Sequence, residues 1–494
     1  MLQNVQADFN ETNVNSDAYV KNKPVIPDIT DYLCLTAQAS NSTVKLVKVR
    51  DPYTVTLEYS VDRQNWTEYS FGTTITLANR GDYVCFRGDN PNGFNKSRYQ
   101  GDERFYNFVM TGTIVASGNI MSLISKQCKD LSLVSYEFYG LFKGCTSLVE
   151  APELPATTLA NGCYSGMFNG CTSLKKVPDF VVTDLVDSCF SGMFSGCTSL
   201  TEAPELPATT LANSCYSGMF NGCTSLKKAP KLPATTLTQF CYTSMFNGCT
   251  SLVEAPELPA TTLINGCYQE MFRNCTSLVE APELPAMTLA GHCCAYMFGS
   301  CTSLKYAPEL PATTTPDFCY QNMFEYCTSL QYLKVGFSSW NTGAYHWLSN
   351  VPATGLFVCP VALDTTTRDD SHVPSGWSVT NGANNASSDT TSEVDASSVS
   401  NYTVCVGTKQ TGVVTVDSAL TLNALPNEST EIAYAEIVLD ISTGATVTAG
   451  SNITFVDALT ENKRNICVCR WSDGVCKLYV TLTEDLSTSS SAGN

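Results

Sequence analysis

Cys145-Thr-Ser-Leu-Val-Glu-Ala-Pro-Glu-Leu-Pro-Ala-Thr-Thr-Leu-Ala-Asn-Gly-Cys163-Tyr-Ser-Gly-Met-Phe-Asn-Gly170 is followed at Cys171 by the same pattern again. Eight cysteines, at 145, 171, 197, 223, 249, 275, 301 and 327, keep a step of 26 residues, and seven more keep it from Cys163 to Cys319. A fixed period of this size marks stacked supersecondary units, none of which buries its apolar face alone. The reading is a solenoid. Cys163, Met167, Cys171 and Leu174 fall at steps of four, four and three, the spacing of one helical face. Leu148 to Leu154 reads as a short extended stretch, and a turn at Pro155-Ala-Thr-Thr158 joins the two. Each coil is therefore expected to be α/β: a strand, a turn and a short helix. Pro152 recurs in every coil as far as Pro308. Proline has no amide hydrogen to give to a ladder, so short interrupted strands are expected.

The two cysteine columns are read as buried, reduced thiols that pack as small hydrophobes in a repeated slot. Disulfides and a metal stack, each with its own strict geometry, are the sharper alternatives. The charged column Glu150, Lys176, Glu202, Lys228, Glu254, Glu280 alternates in part, which is mildly favourable between neighbouring strands. Paired carboxylates such as Glu202 with Glu205 and Glu254 with Glu257 would suit a glycoside hydrolase. Nearly every coil repeats such a pair, and nothing singles one out, so a solvated charged face is the simpler reading.

The Met-Phe-x-x-Cys-Thr-Ser-Leu core and the Leu-Pro-Ala-Thr-Thr-Leu turn resemble the BspA-like leucine-rich repeats. Such repeats occur in surface proteins of gut bacteria and in fibre-like proteins of phages of Bacteroides-like hosts. Ser117 to Leu123 looks like that family's lead-in, and Trp347 to Trp377 looks like its close. About half the chain is covered. The resemblance implies a rigid display scaffold for adhesion, without catalysis. The second coil departs from the pattern at Val177-Pro-Asp-Phe-Val-Val182.

Outward from the repeats, residues 1–28 are polar and too short to fold alone. They resemble the segment that begins phage fibre proteins, which implies a virion anchor. Phe9, Asn10, Tyr19, Lys21, Asn22, Lys23 and Pro24 would make its contacts, ordering on binding. Residues 29–125 alternate in the manner of strands and read as a β-sandwich capping a solenoid region at 126–379. Residues 380–400 are rich in Ser, Thr and Asn and read as a linker. Residues 401–494 read as a C-terminal β domain, with a hairpin from Ile466 to Leu482. That domain looks like the small modules that end phage fibre and head-decoration proteins, often as trimers. The aromatic run Tyr332, Phe337, Trp340, Tyr345, Trp347 is read as the seal of the last coil. The last coils are also more aromatic on their surface, and a ligand face is expected at His292, Tyr296, Tyr306, Phe318 and Tyr326.

The chain has 494 residues, with 28 basic against 46 acidic side chains and a net charge of −18. That balance disfavours nucleic acid and anionic membranes as partners. No run approaches the roughly 18 apolar residues of a membrane span, and Met1 to Asp8 does not read as a signal peptide. Three histidines exist, none in a His-Glu-x-x-His pattern, and no nucleophile elbow or phosphate loop occurs. The adjacent His292 and Cys293, and the loop carboxylates Asp364, Asp369 and Asp370 beside His372, read as structural. The expectation is a non-enzymatic virion protein without cofactor or metal, a head or tail fibre or decoration protein at the virion surface. Its partners would be other virion proteins and a host surface glycan or protein, with the chain a homotrimer. A bacterial surface adhesin and a polysaccharide depolymerase are the alternatives.

Overall fold

The computed structural model describes residues 32–381, apart from 51–53, 96–104, 129–131, 179 and 181, together with segments between 394 and 485. The anchor expected in residues 1–28 lies outside the described residues. The chain divides into Met1–Val379 and Thr380–Asn494.

Two sheets open the first unit. One runs in the order Thr67–Glu68, Leu57–Ser60, Tyr83–Gly88, Leu33–Ala37, Ile114–Ser117, Leu148–Glu150; the other runs Ile75–Leu77, Ser42–Val49, Phe105–Thr111. Alternate residues of Ser42–Val49 are buried, as a strand with one apolar face requires. The sheets meet through rings such as Phe86 and Phe108, whose centroids are 5.4 Å apart. Cys34 and Cys85 stand directly opposite in antiparallel register and form a disulfide. The reduced-thiol reading made for the repeat columns does not extend to this pair. The last strand of the first sheet, Leu148–Glu150, belongs to the first full repeat and pairs in parallel with Ile114–Ser117. Sheet and repeats thus share one hydrogen-bonded edge.

From Tyr136 onward the coils stack at the period of the sequence. The face expected at Cys163, Met167, Cys171 and Leu174 is buried, each at 0% exposure. Its backbone, however, is not helical: among the described residues there is no α-helix, only the short 3-10 turns Ile120–Leu123 and Thr342–Ala344. Between Gly162 and Cys171 the amides alternate between two destinations. Tyr164, Gly166, Phe168 and Gly170 donate to Cys189, Ser191, Met193 and Ser195 of the next coil. Cys163, Ser165, Met167, Asn169 and Cys171 donate three residues back within their own coil. Successive β-turns result, and every second turn needs a left-handed residue, found at Gly162, Gly166 and Gly170 with φ of 63, 59 and 75°. A left-handed residue at every fourth position gives nearly the face periodicity of a helix, so apolar spacing does not separate the two. Glycine at every fourth position, costly inside a helix, was the distinguishing signal.

Beyond Leu148–Glu150, the extended sides of the coils pair through isolated parallel bridges, among them Glu150 with Lys176, Glu202 with Lys228, Lys228 with Glu254 and Glu280 with Tyr306. Each of these lies two residues before the recurring proline, which has no amide to extend a ladder. The pairs Lys176–Glu150 at 3.7 Å and Lys228–Glu254 at 2.5 Å link neighbouring coils but stand largely in solvent. Such pairs add little to stability.

The interior carries the stability. Phe108, Phe142, Phe168, Phe194, Phe220, Phe246, Phe272, Phe298 and Phe324 form one stack, with centroids 5.1–5.8 Å apart and planes within 14°. It begins on the N-terminal sheet, so strand Phe105–Thr111 covers the first coil. Beside it, Cys145 Sγ donates to Phe108 O on the N-terminal sheet at 2.9 Å, and each later thiol of the column donates to a carbonyl of the preceding coil, as from Cys171 Sγ to Phe142 O at 3.0 Å and Cys223 Sγ to Phe194 O at 3.1 Å. These cysteines therefore act as donors as well as space fillers, a role serine could imitate and alanine could not.

A second stack runs Phe138, Tyr164, Phe190, Tyr216, Tyr242, Tyr268, with centroids 5.9–6.1 Å apart. The Tyr164 hydroxyl within it is buried without a hydrogen-bond partner. Both neighbours of Tyr164 are phenylalanine, so Tyr164→Phe keeps the ring and removes the stranded polar group. An increase in stability of about 1 kcal/mol is expected, read from the denaturant midpoint.

Cys294 interrupts this stack, and the column resumes at Tyr320, which lies under Trp347 with centroids 6.4 Å apart. Trp347 is fully buried, and the indole N–H groups of Trp340, Trp347 and Trp377 donate to the carbonyls of Asp364, His372 and Pro352. Tyr332–Lys334, Leu356–Cys359 and Ser378–Asn381 form a small closing sheet. Phe337 and Trp347 seal the last coil, while Tyr345 remains 46% exposed.

The described segments of the second unit form strands. One sheet is ordered Val394–Asp395, Val413–Val416, Tyr434–Ile441, Lys463–Ser472, Val475–Asp485, Ile453–Phe455. The other joins Asn401–Cys405, Ala419–Leu425 and Thr446–Ala449 in parallel. The hairpin expected from Ile466 to Leu482 runs from Lys463 to Asp485, with a register shift between Ile466 and Cys467.

Candidate ligand face on the repeats

Each coil offers three left-handed positions, four residues apart, and they align from coil to coil. The first column is Tyr136, Gly162, Ser188, Ser214, Phe240, Gly266, His292, Phe318. The second is Gly140, Gly166, Gly192, Gly218, Ser244, Glu270, Tyr296, Asn322. The third is Gly144, Gly170, Gly196, Gly222, Gly248, Asn274, Ser300, Tyr326. In the second and third columns the early coils carry glycine throughout, whereas the late coils carry side chains at φ of 52–62°. An L-residue held there costs roughly 1–2 kcal/mol.

Four of the five residues expected to form a ligand face occupy these positions. His292 and Phe318 are neighbours in the first column, their rings stacked at 5.3 Å, and Tyr345 meets Phe318 edge-on at 6.2 Å. Tyr296 stands in the second column, with the Arg273 guanidinium 4.8 Å from its ring centroid. Tyr326 stands in the third and is 49% exposed. Tyr306 is separate. It belongs to the column of parallel bridges, between Glu280 and Tyr332.

Sequence reasoning missed the polar members of this edge. Glu270 accepts from Ser244 Oγ at 3.3 Å and Asn247 Nδ2 at 3.1 Å, and Arg273 lies 3.7 Å from its other oxygen. Asn274 Nδ2 donates to Asn247 Oδ1 at 3.0 Å. The signal was present in the repeat alignment as the loss of glycine from the second column at Ser244 and from the third at Asn274.

The aromatic positions also follow a packing rule. A Cβ on Gly266 would lie 2.3 Å from ring carbons of Phe240, and one on Gly162 would lie 2.3 Å from Tyr136. A ring in one coil therefore lies over the next coil's glycine, or, as with His292 and Phe318, is met by another ring.

The other candidate groups are spent structurally. Glu202, Glu205, Glu254 and Glu257 are all exposed, and Glu254 is paired with Lys228. An acid catalyst needs a carboxyl held protonated by an apolar or anionic setting, which an exposed face does not supply. Cys293 is fully buried, and its thiol is directed to Cys319 O at 3.9 Å, away from nucleophilic use. Asp370 accepts from Ser349 at 2.8 Å and pairs with His346 at 2.5 Å, while Asp369 pairs with His372 at 2.7 Å. Among the described residues no group of three His, Cys, Asp or Glu side chains is placed to hold a metal ion.

Coils of this length, with Leu148, Leu174, Leu200, Leu226, Leu252, Leu278, Leu304 and Leu330 all fully buried in one column, can be compared with known repeats. The profile of the BspA type leucine rich repeat region matches residues 139–253 and 213–347, in six copies. The repeats are of the BspA type. The match spans 139–347, which is 209 of the 494 residues. No curated protein and no solved structure gives a match. In these BspA-type coils the recurring Met, Phe, Cys and Leu positions are the interior columns, whereas the Thr and Ser between Cys and Leu are exposed or half-buried.

Proposed function

We propose that this chain is a non-enzymatic adhesion scaffold carried on the surface of a phage particle, as a head or tail fibre or a decoration protein. What supports the adhesion part is the locking of every coil to the next by amide, thiol and ring columns, which leaves a preorganised outer edge free to vary. A rigid face loses little conformational entropy when it binds. The BspA-type repeats support a surface-adhesin role at the level of the family. The phage setting rests on the resemblance of residues 1–28, where Phe9, Asn10, Tyr19, Lys21, Asn22, Lys23 and Pro24 would contact other virion proteins. A homotrimer belongs to the same proposal. The net charge of −18 argues against nucleic acid and anionic membrane as partners. No helix of the described residues is long and apolar enough to cross a membrane.

The test is retention of the full chain on intact host cells, with reducing ends assayed in the supernatant. Cell-bound protein without sugar release is expected. Absence of retention would contradict the adhesion reading, and sustained release of reducing ends would make the chain a depolymerase.

A further inference from the structure

We propose that the left-handed edge of the last coils, formed by Glu270, His292, Tyr296, Phe318 and Tyr326, is a binding site for a neutral glycan. The proposal rests on the adhesion reading and names its surface and ligand class. Three of these positions carry glycine in the early coils. Gly166, Gly192 and Gly218 fill the same backbone position as Glu270 and Tyr296, with φ of 59, 60 and 61° against 55 and 57°. The turn is thus built equally well without a side chain. Gly170, Gly196 and Gly222 stand in the same relation to Tyr326. Side chains that the fold does not need, at positions that penalise them, mark a functional segment.

Their chemistry selects the ligand. The ring of Tyr326, 49% exposed, and the outer faces of the half-buried rings His292, Tyr296 and Phe318 would meet the C–H faces of a pyranose. Glu270 and the neighbouring amide of Asn274 supply acceptors and donors for hydroxyl groups. Arg273 pairs with Glu270 at 3.7 Å and lies 4.8 Å from the Tyr296 ring, so its charge is balanced within the patch. An anionic polymer would find no uncompensated counter-charge here and would face a chain of net charge −18. A neutral chain of sugars meets neither obstacle.

The test uses affinity electrophoresis of the full chain in gels containing mannan, dextran, xylan or galactan, with hyaluronan as the acidic comparison. The key variant is the double substitution Tyr296→Gly with Tyr326→Gly. Glycine is the residue this backbone prefers, so the variant is expected to melt at the same temperature or higher while binding at least tenfold more weakly. Ser188→Gly with Ser214→Gly, at left-handed positions of the early coils, is expected to bind as the parent does. Failure of the parent to be retarded by any neutral polysaccharide overturns the proposal. So does undiminished binding by the Tyr296/Tyr326 variant, a fall in its melting temperature, or equal loss in the Ser188/Ser214 variant. The same proteins on intact cells separate the two readings. Equal cell retention of parent and Tyr296/Tyr326 variant keeps adhesion and removes this site, whereas no retention of the parent removes adhesion.

Discussion

Raising the pH from 8 to 10 is expected to unfold the repeats cooperatively. Burial pushes the thiols of Cys163, Cys171, Cys189, Cys223 and Cys301 up to about 12, and that of Cys241 to about 11. In the unfolded chain a cysteine ionises near 8.5. Below that pH both states hold the proton and the folded state keeps its full advantage. Above it the unfolded state releases protons that the folded state retains, so stability falls until the folded thiols ionise as well. At pH 10 each such thiol removes roughly 2 kcal/mol, and the six together roughly 12 kcal/mol. That equals the whole stability of an ordinary domain. Far-UV circular dichroism across pH 7 to 11 checks it. Cys171→Ser with Cys223→Ser, which keep a hydroxyl donor and lose the titration, are expected to move the midpoint to higher pH. An unchanged spectrum at pH 11 would mean that the columns are not the buried thiols described here.

Phe220→Ala should be the most damaging single substitution in the interior. The ring is fully buried between Phe194 and Phe246, each at 5.8 Å. Removing it leaves a cavity that the flanking rings cannot fill without breaking their own contacts, for a loss of about 3–5 kcal/mol. Because each coil touches only its neighbours, the damage should be local. Hydrogen exchange is expected to accelerate in the coils on either side of Phe220 and little at the N-terminal sheet. Lys228→Ala provides the contrast: its ion pair with Glu254 is 2.5 Å long but lies in solvent, and no measurable change in the melting temperature is expected.

The repeat region was legible from the cysteine step, and so was its interior, since Cys163, Met167, Cys171 and Leu174 all proved buried. The backbone that carries them was not. A turn ladder with a left-handed residue every four positions and a helix with 3.6 residues per turn place apolar groups on nearly the same stripe. Only the glycines at 162, 166 and 170 distinguish them. The ligand face was partly legible because aromatic residues break a regular pattern visibly. His292 and Phe318 were named with Tyr306, although Tyr306 lies on the bridge column. Glu270 was missed because a charged residue on a charged surface does not stand out by type, and its signal was the glycine that the earlier coils carry at the same place, Gly166, Gly192 and Gly218. The Cys34–Cys85 bond was missed for a related reason, since strand register is not written in spacing 51 residues apart.

Mass spectrometry of density-purified phage particles, set beside the host envelope fraction, tests the central claim most directly. The account predicts the chain in stoichiometric proportion to capsid or tail proteins. Recovery of the chain in the envelope fraction, with none in the particles, would contradict it and assign these repeats to a bacterial surface adhesin.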